Sequence, residues 1–202
     1  MAGRLIVLEG PDGGGKSTNA GFVAQWLESR GRQVVRSREP GGSPLAEQIR
    51  SLLLADGEMP AASEVLLMYA ARAAHLAQTI APALAAGSDV VCDRFVDASY
   101  AYQGAGRGVP VSVLDQLSNY VLGELRPDLV ILLDLPLAAG QQRTRGRGAE
   151  DRFDREQTAF RSAVRQAYLQ RAQAAPEHYA VVDASAPLAD VQHQIALRLE
   201  RL

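Results

Sequence analysis

Gly10-Pro11-Asp12-Gly13-Gly14-Gly15-Lys16-Ser17-Thr18 is the stretch whose reading decides the fold. A glycine, four residues and then Gly-Lys-Ser is the spacing of a phosphate-binding loop, and it lies between a strand-like run, Leu5-Ile6-Val7-Leu8, and a helix-like run. Glycines let backbone N–H groups curl around an anion, the following helix N-terminus adds its positive end, and a lysine reaches the outer phosphates. Lys16 is the only lysine in the chain, and the planar guanidinium of an arginine is a poor substitute for a point charge there. A glycine-rich turn with a chance lysine is the bland alternative, and the strand and helix on either side argue against it. Gly10 through Thr18 are therefore read as a nucleotide phosphate cradle, with Ser17 as a magnesium ligand.

The 202 residues suit one domain with a sizeable core, 1–202, with room for a small lid at about 140–155. No apolar run could span a bilayer, and the first strand comes too soon for a signal peptide, so a cytoplasmic protein without membrane contact is expected. Basic residues number 21 against 23 acidic ones, which argues against nucleic acid as a partner. Cys92, a lone cysteine in an apolar run, reads as a buried structural thiol.

After the first strand and the helix carrying Ala20, Val23, Ala24 and Leu27, Gln33 to Arg36 reads as a second strand. The connection Arg38-Glu39-Pro40-Gly41-Gly42-Ser43 leads to a helix opening at Pro44. A helical region runs from about Ala61 to Ala86, and the sequence leaves open whether it is one helix or two, broken or kinked before Pro82. Asp89 to Asp93, Asp128 to Asp134 and Tyr179 to Asp183 are short β-branched runs suited to buried parallel strands, and Leu114, Leu117, Val121 and Leu125 mark a helix between two of them. Alternation of strands and helices predicts an α/β fold: a five-stranded parallel sheet with helices on both faces.

Transfer of a phosphoryl group between two phosphorylated molecules needs a donor cradle, an acceptor clamp and positive charge over the group in flight. Arg94 leaves the sheet edge beside the cradle and is the clamp candidate, and Asp93 is placed to hold magnesium through water. An ordinary surface Asp-Arg pair is the competing reading of these two. Arg143, Arg145, Arg147 and Arg152, set among Gly140, Gly146 and Gly148, read as a mobile lid, although a solvated face explains any single one of them.

The glycine loop, Arg38 to Gly42, Ala70-Ala71-Arg72, Asp93-Arg94-Phe95, Ser99 to Gln103 and the arginine lid occur in the order and approximate spacing of bacterial thymidylate kinases, which the chain resembles over nearly its whole length. The resemblance implies a P-loop nucleoside monophosphate kinase fold, transfer of the γ-phosphoryl of ATP to dTMP giving dTDP, Mg2+ as cofactor and a homodimer. It implies that Lys16, Asp12, Arg94 and the lid arginines serve catalysis, with Arg147 first and Arg143 and Arg152 behind it. By the same resemblance Arg94 holds the acceptor phosphate, Arg72 a thymine carbonyl, Ser99 and Gln103 face the base, Tyr102 fills the ribose 2′ position, and Asp12 and Glu39 lie near the sugar and phosphate. Where the family commonly has a phenylalanine that stacks on thymine, this chain has Met68, in register with Arg72, with Tyr69 next to it. Gly13 stands where some relatives carry an arginine, which assigns the transfer arginine to the lid.

A regulatory GTPase is the reading from another class, and its Asn-Lys-x-Asp motif is impossible with Lys16 as the sole lysine. A kinase for another acceptor, such as a different nucleotide or shikimate, shares the fold, and Arg72, Ser99, Tyr102 and Gln103 are what discriminate against it.

Overall fold

A computed structural model of the chain describes residues 3–144, 153 and 156–202. Five strands, β1 (Leu5–Glu9), β2 (Val34–Arg38), β3 (Asp89–Asp93), β4 (Leu129–Asp134) and β5 (Tyr179–Asp183), form one sheet in the order β2-β3-β1-β4-β5, every pair parallel. β1 lies at its centre, which is why its side chains are buried on both faces and why its sequence is an unbroken apolar run.

The alternation of those side chains divides the core. Ile6, Leu8, Ile131 and Leu133 pack under α1 (Lys16–Glu28) and α9 (Leu188–Leu199), while Leu5, Val7, Val90, Cys92 and Val130 face the opposite way. That second face is covered by α4 (Ala81–Ala85), α5 (Val96–Ser99) and α6 (Val111–Leu122), and α8 (Thr158–Ala174) covers Leu132 through Val164, Tyr168 and Ala172. Cys92 is buried in this layer, and burial raises its thiol pKa further, so it is the structural thiol expected. Truncating a central side chain such as Ile131 to alanine is expected to cost about 2–5 kcal/mol.

Four local features refine the sequence reading. The helical region from Ala61 is continuous, with α3 (Ala61–His75) joined to α4 through a π-helical turn, Leu76–Ile80, so the question of one helix or two is answered by an irregular turn just before Pro82 rather than by a break. Leu125 falls beyond α6, which stops at Leu122 because Gly123 takes a positive φ of 56°. A second π-helical segment, Tyr100–Gly106, continues α5 and brings Tyr102 under α8 and Gln103 against Glu64 of α3. β2 also runs on to Arg38, which carries Glu39 to the edge of the sheet. Among the described residues no helix is long and apolar enough to cross a membrane.

Candidate functional site

The C-terminal ends of β1, β2 and β3 meet at one edge, and the site is built on the loops that leave them. From β1 the loop Gly10 to Gly15 turns into α1. Gly13 has a φ of 82°, and a Cβ there would lie 2.8 Å from the carbonyl oxygen of Gly140 in α7 (Leu137–Thr144). The missing side chain therefore lets α7 rest its backbone directly on the loop.

Lys16 Nζ donates to the carbonyls of Gly10 at 3.1 Å and Pro11 at 3.0 Å and lies 3.8 Å from Asp12 Oδ1. Burial and the nearby Arg94 lower its pKa to about 8, against the pull of Asp12, Asp93 and Glu9. Ser17 Oγ donates to Asp93 Oδ2 at 2.7 Å, so the hydroxyl and carboxylate expected to serve a magnesium ion are neighbours. Hard oxygen donors at the foot of a phosphate cradle fit Mg2+, which takes one or two protein oxygens and completes its shell with phosphate and water. No group of three His, Cys, Asp or Glu side chains that could hold a metal ion occurs among the described residues.

Arg94 is the junction. Its backbone adopts a φ of 69°, a strained conformation for a residue with a Cβ that costs on the order of 1–3 kcal/mol, and its N–H donates to Leu8 O. Nη1 donates to Gly10 O at 3.2 Å and Tyr168 Oη at 3.0 Å, and Nη2 to Asp12 Oδ1 at 2.5 Å and Tyr102 Oη at 2.9 Å. Tyr102 Oη in turn donates to Asp12 Oδ2 at 3.0 Å, and its ring lies beneath the guanidinium. Burial pushes the Asp12 carboxyl up, but Arg94 and Lys16 outweigh it and bring the pKa down to about 2. Asp12 is thus an ionised anchor for Arg94 at neutral pH.

Behind this cluster stands Glu9, fully buried at the end of β1. Its Oε1 accepts from the N–H groups of Phe95 at 2.7 Å and Ala98 at 3.2 Å, and Oε2 accepts from Tyr168 Oη at 2.7 Å. Burial and then Asp97 raise its pKa to about 7, against Arg94 and the hydrogen bonds from Tyr168 and Phe95.

A second buried cluster lies on α3. Arg72 is 1% exposed and donates from Nε to Glu39 Oε2 at 2.7 Å, from Nη1 to Ser99 Oγ at 3.1 Å and from Nη2 to the carbonyl of Phe95 at 3.0 Å. His75 Nδ1 donates to Glu39 Oε1 at 3.1 Å, and Ser37 Oγ lies 2.6 Å from His75 Nε2. A solvated helix arginine is excluded by this geometry. Gln103 Nε2 donates to Glu64 Oε1 at 2.7 Å. Met68 packs in the seam between α2 (Pro44–Leu54) and α3 with Ile49, Leu53 and Ala71, whereas the Tyr69 hydroxyl turns toward α6, to Leu114 O and Ser118 Oγ. A narrow, open pocket runs beside the first cluster, lined by Asp12, Tyr102, Gly140, Phe153 and Phe160 among others.

The structure thus gathers Asp12, Lys16, Ser17, Asp93, Arg94 and Tyr102 in one cluster, and Glu39, Arg72 and Ser99 in another. Arg143 is on α7 and donates to the carbonyl of Ala184 at 2.8 Å, so the first part of the expected lid, to Thr144, is helix. Arg145, Arg147 and Arg152 lie outside the described residues. Sequence reasoning missed Glu9, Tyr168, Glu64, His75 and Arg107. Glu9 closing an apolar strand, and Glu64 in helical register with Met68 and Arg72 at four-residue steps, were the available signals.

A family model described as thymidylate kinase matches residues 8–195. A thymidylate kinase of Ectopseudomonas mendocina (strain ymp) is 55% identical over 204 residues, covering 100% of this chain and 97% of that protein. One from Pseudomonas entomophila (strain L48) is 56% identical over 197 residues, covering 96% and 94%. Among solved structures, thymidylate kinase from Ehrlichia chaffeensis superposes with a TM-score of 0.80 at 29% identity, covering 98% of this chain and 99% of that one.

Proposed function

The chain belongs to the thymidylate kinase family and phosphorylates dTMP, and on that premise we propose how its residues divide the work. ATP places its phosphates in the loop Gly10 to Thr18 with Lys16 at the outer ones, and dTMP places its phosphate at Arg94. The observation that carries this division is a shared acceptor: the Gly10 carbonyl takes hydrogen bonds from both Lys16 Nζ and Arg94 Nη1, so the cation for the donor and the cation for the acceptor stand side by side. An acceptor phosphate oxygen attacks the γ-phosphorus, that P–O bond forms as the bond to the β-phosphate oxygen breaks, and the negative charge passes to ADP. A phosphate oxygen ionised at neutral pH needs no general base, and Asp12, brought down to about 2 by Arg94 and Lys16, is too weak a base to act as one. Its work is to orient Arg94.

Ser17 and Asp93 are the oxygens that would hold Mg2+, which when bound shields the charge on the ATP phosphates. Arg147, with Arg143 and Arg152 behind it, supplies positive charge over the transferring group, a part that the backbone-filled space at Gly13 leaves to residues outside the loop. The base lies against Arg72, Ser99 and Gln103 with Met68 at its helix face, Glu39 fixes Arg72, and Tyr102 stands against the sugar where a ribose hydroxyl would project.

A homodimer and a cytoplasmic location belong to the same reading. The dimer is supported by Leu52 on α2, Leu66 on α3 and Tyr120 on α6, large apolar side chains exposed on helices that pack side by side. The test of the whole is ADP release measured with ATP and dTMP, dUMP, dCMP, AMP or shikimate as acceptor. Preference for dTMP is expected, and preference for any other acceptor overturns the assignment.

A further inference from the structure

Gln103 is 1% exposed, and its amide has one orientation available to it. Nε2 donates to Glu64 Oε1 at 2.7 Å, and a carboxylate only accepts, so the amide oxygen cannot take that place. Oε1 is accordingly turned away, and it has no hydrogen-bond partner among the described residues. A buried acceptor without a donor is costly, and a ligand N–H is what it lacks.

Glu64 is itself pinned. Arg107 Nε donates to Glu64 Oε2 at 3.2 Å, and Arg107 Nη2 lies 2.6 Å from Glu156 Oε1. The Arg107 backbone N–H closes the π-helical segment onto Tyr102 O at 2.9 Å, and its guanidinium lies 4.7 Å from the ring of Phe160. The pair Glu64–Arg107 thus fixes which of the two amide atoms of Gln103 is presented.

We propose that Glu64, held by Arg107, is a specificity-determining residue: it keeps Gln103 Oε1 as the presented atom, an acceptor that suits the N3–H of thymine and repels the bare N3 lone pair of cytosine. This inference rests on the reading that Gln103 faces the base. Glu64 acts through Gln103 and touches no substrate, so it is a positioning residue.

The experiment compares kcat/KM for dTMP and dCMP in Glu64→Gln, Arg107→Gln and Gln103→Ala. An amide at position 64 can pair with Gln103 in either orientation, which frees the flip. In Glu64→Gln the preference for dTMP over dCMP is expected to fall by about tenfold, carried by a higher KM for dTMP and a better one for dCMP, with kcat for dTMP within about twofold. The ratio compares two substrates on one preparation, so a loss of folded protein cancels. Arg107→Gln, altered at a partly exposed position, is expected to move the ratio the same way by less, and it carries the test if Glu64→Gln does not fold. Gln103→Ala tests the underlying reading. If it leaves KM and preference unchanged, Gln103 does not face the base and both readings fall. If it weakens dTMP while the folded Glu64 and Arg107 variants keep the wild-type ratio, the role given to Glu64 is overturned and the base assignment stands.

Discussion

Glu9→Gln isolates a proton that the folded protein holds at its centre. The carboxyl of Glu9 is raised from 4.5 to about 7, by burial first and Asp97 second. Between those two values the folded chain keeps a proton that the unfolded chain has released. The contribution of this group to stability is therefore complete below about pH 4.5 and is lost as pH rises through about 7. At about 1.4 kcal/mol per pKa unit, the wild-type side chain loses roughly 2 kcal/mol of that contribution between about pH 5.5 and about pH 8. Glutamine has no such proton, yet its oxygen still accepts from Phe95 and Ala98 and its nitrogen donates to Tyr168 Oη. Any constant effect of the substitution cancels when the same pair of proteins is compared at the two pH values. Measured by thermal or urea unfolding, the stability of the variant minus that of the wild type is expected to rise by roughly 2 kcal/mol over that range, or about 4–8 °C in Tm for a chain of this size. A flat difference refutes the raised pKa. It is the result expected if Arg94 outweighs burial and keeps Glu9 ionised throughout, since no proton is then exchanged on unfolding in that range.

Tyr102→Ala removes the ring under Arg94 and the hydroxyl that bridges it to Asp12, and discrimination between dTMP and its ribonucleotide counterpart in kcat/KM is expected to relax. Unchanged discrimination sinks the assignment of Tyr102 to the 2′ position. Leu66→Glu, at a side chain that is 58% exposed, is expected to shift sedimentation from dimer to monomer with little change in Tm of the isolated chain. A variant that sediments as the wild type does removes α3 from the interface.

The sheet was legible because its chemistry is local. Leu5 to Glu9 and Asp89 to Asp93 are buried on both faces and read as apolar runs, and the glycine loop has a spacing with few other uses. The site was legible in part, since Asp12, Asp93 and Arg94 sit next to strand ends, where position alone suggests function. Glu9 and Tyr168 were not, because their meaning comes from a contact between residues 159 apart, and Tyr168 in sequence is one more apolar position on α8 beside Val164. Glu64 stayed hidden for a different reason. An acidic residue in the first turn of a helix is well explained by the helix dipole, and only its burial shows that it does something else. Arg72 is the converse, a residue that helix periodicity leaves on any face and that four aligned partners, Glu39, Ser99, Phe95 and Tyr69, place in the interior.

What these contacts have in common is that Arg94 is held from three directions by elements far apart in sequence: the phosphate loop through Gly10 and Asp12, the π-helical segment through Tyr102, and α8 through Tyr168. A guanidinium with that many fixed acceptors has little freedom left to lose when a phosphate arrives, so less of the binding energy is spent on ordering it. The arrangement has an electrostatic cost that explains its anions. Lys16 and Arg94 approach one carbonyl oxygen from two sides, and the pKa of Lys16 is depressed by its burial first and by Arg94 second. Asp12 lies between them, 2.5 Å from one and 3.8 Å from the other, and is the group that lets two cations stand this close. In the proposed division of labour, the phosphates of ATP and dTMP bring further negative charge to the same place. Asp12 then has to hold the geometry of Arg94 against competing phosphate oxygens, and the hydrogen bond from Tyr102 to its second oxygen is what keeps it in position.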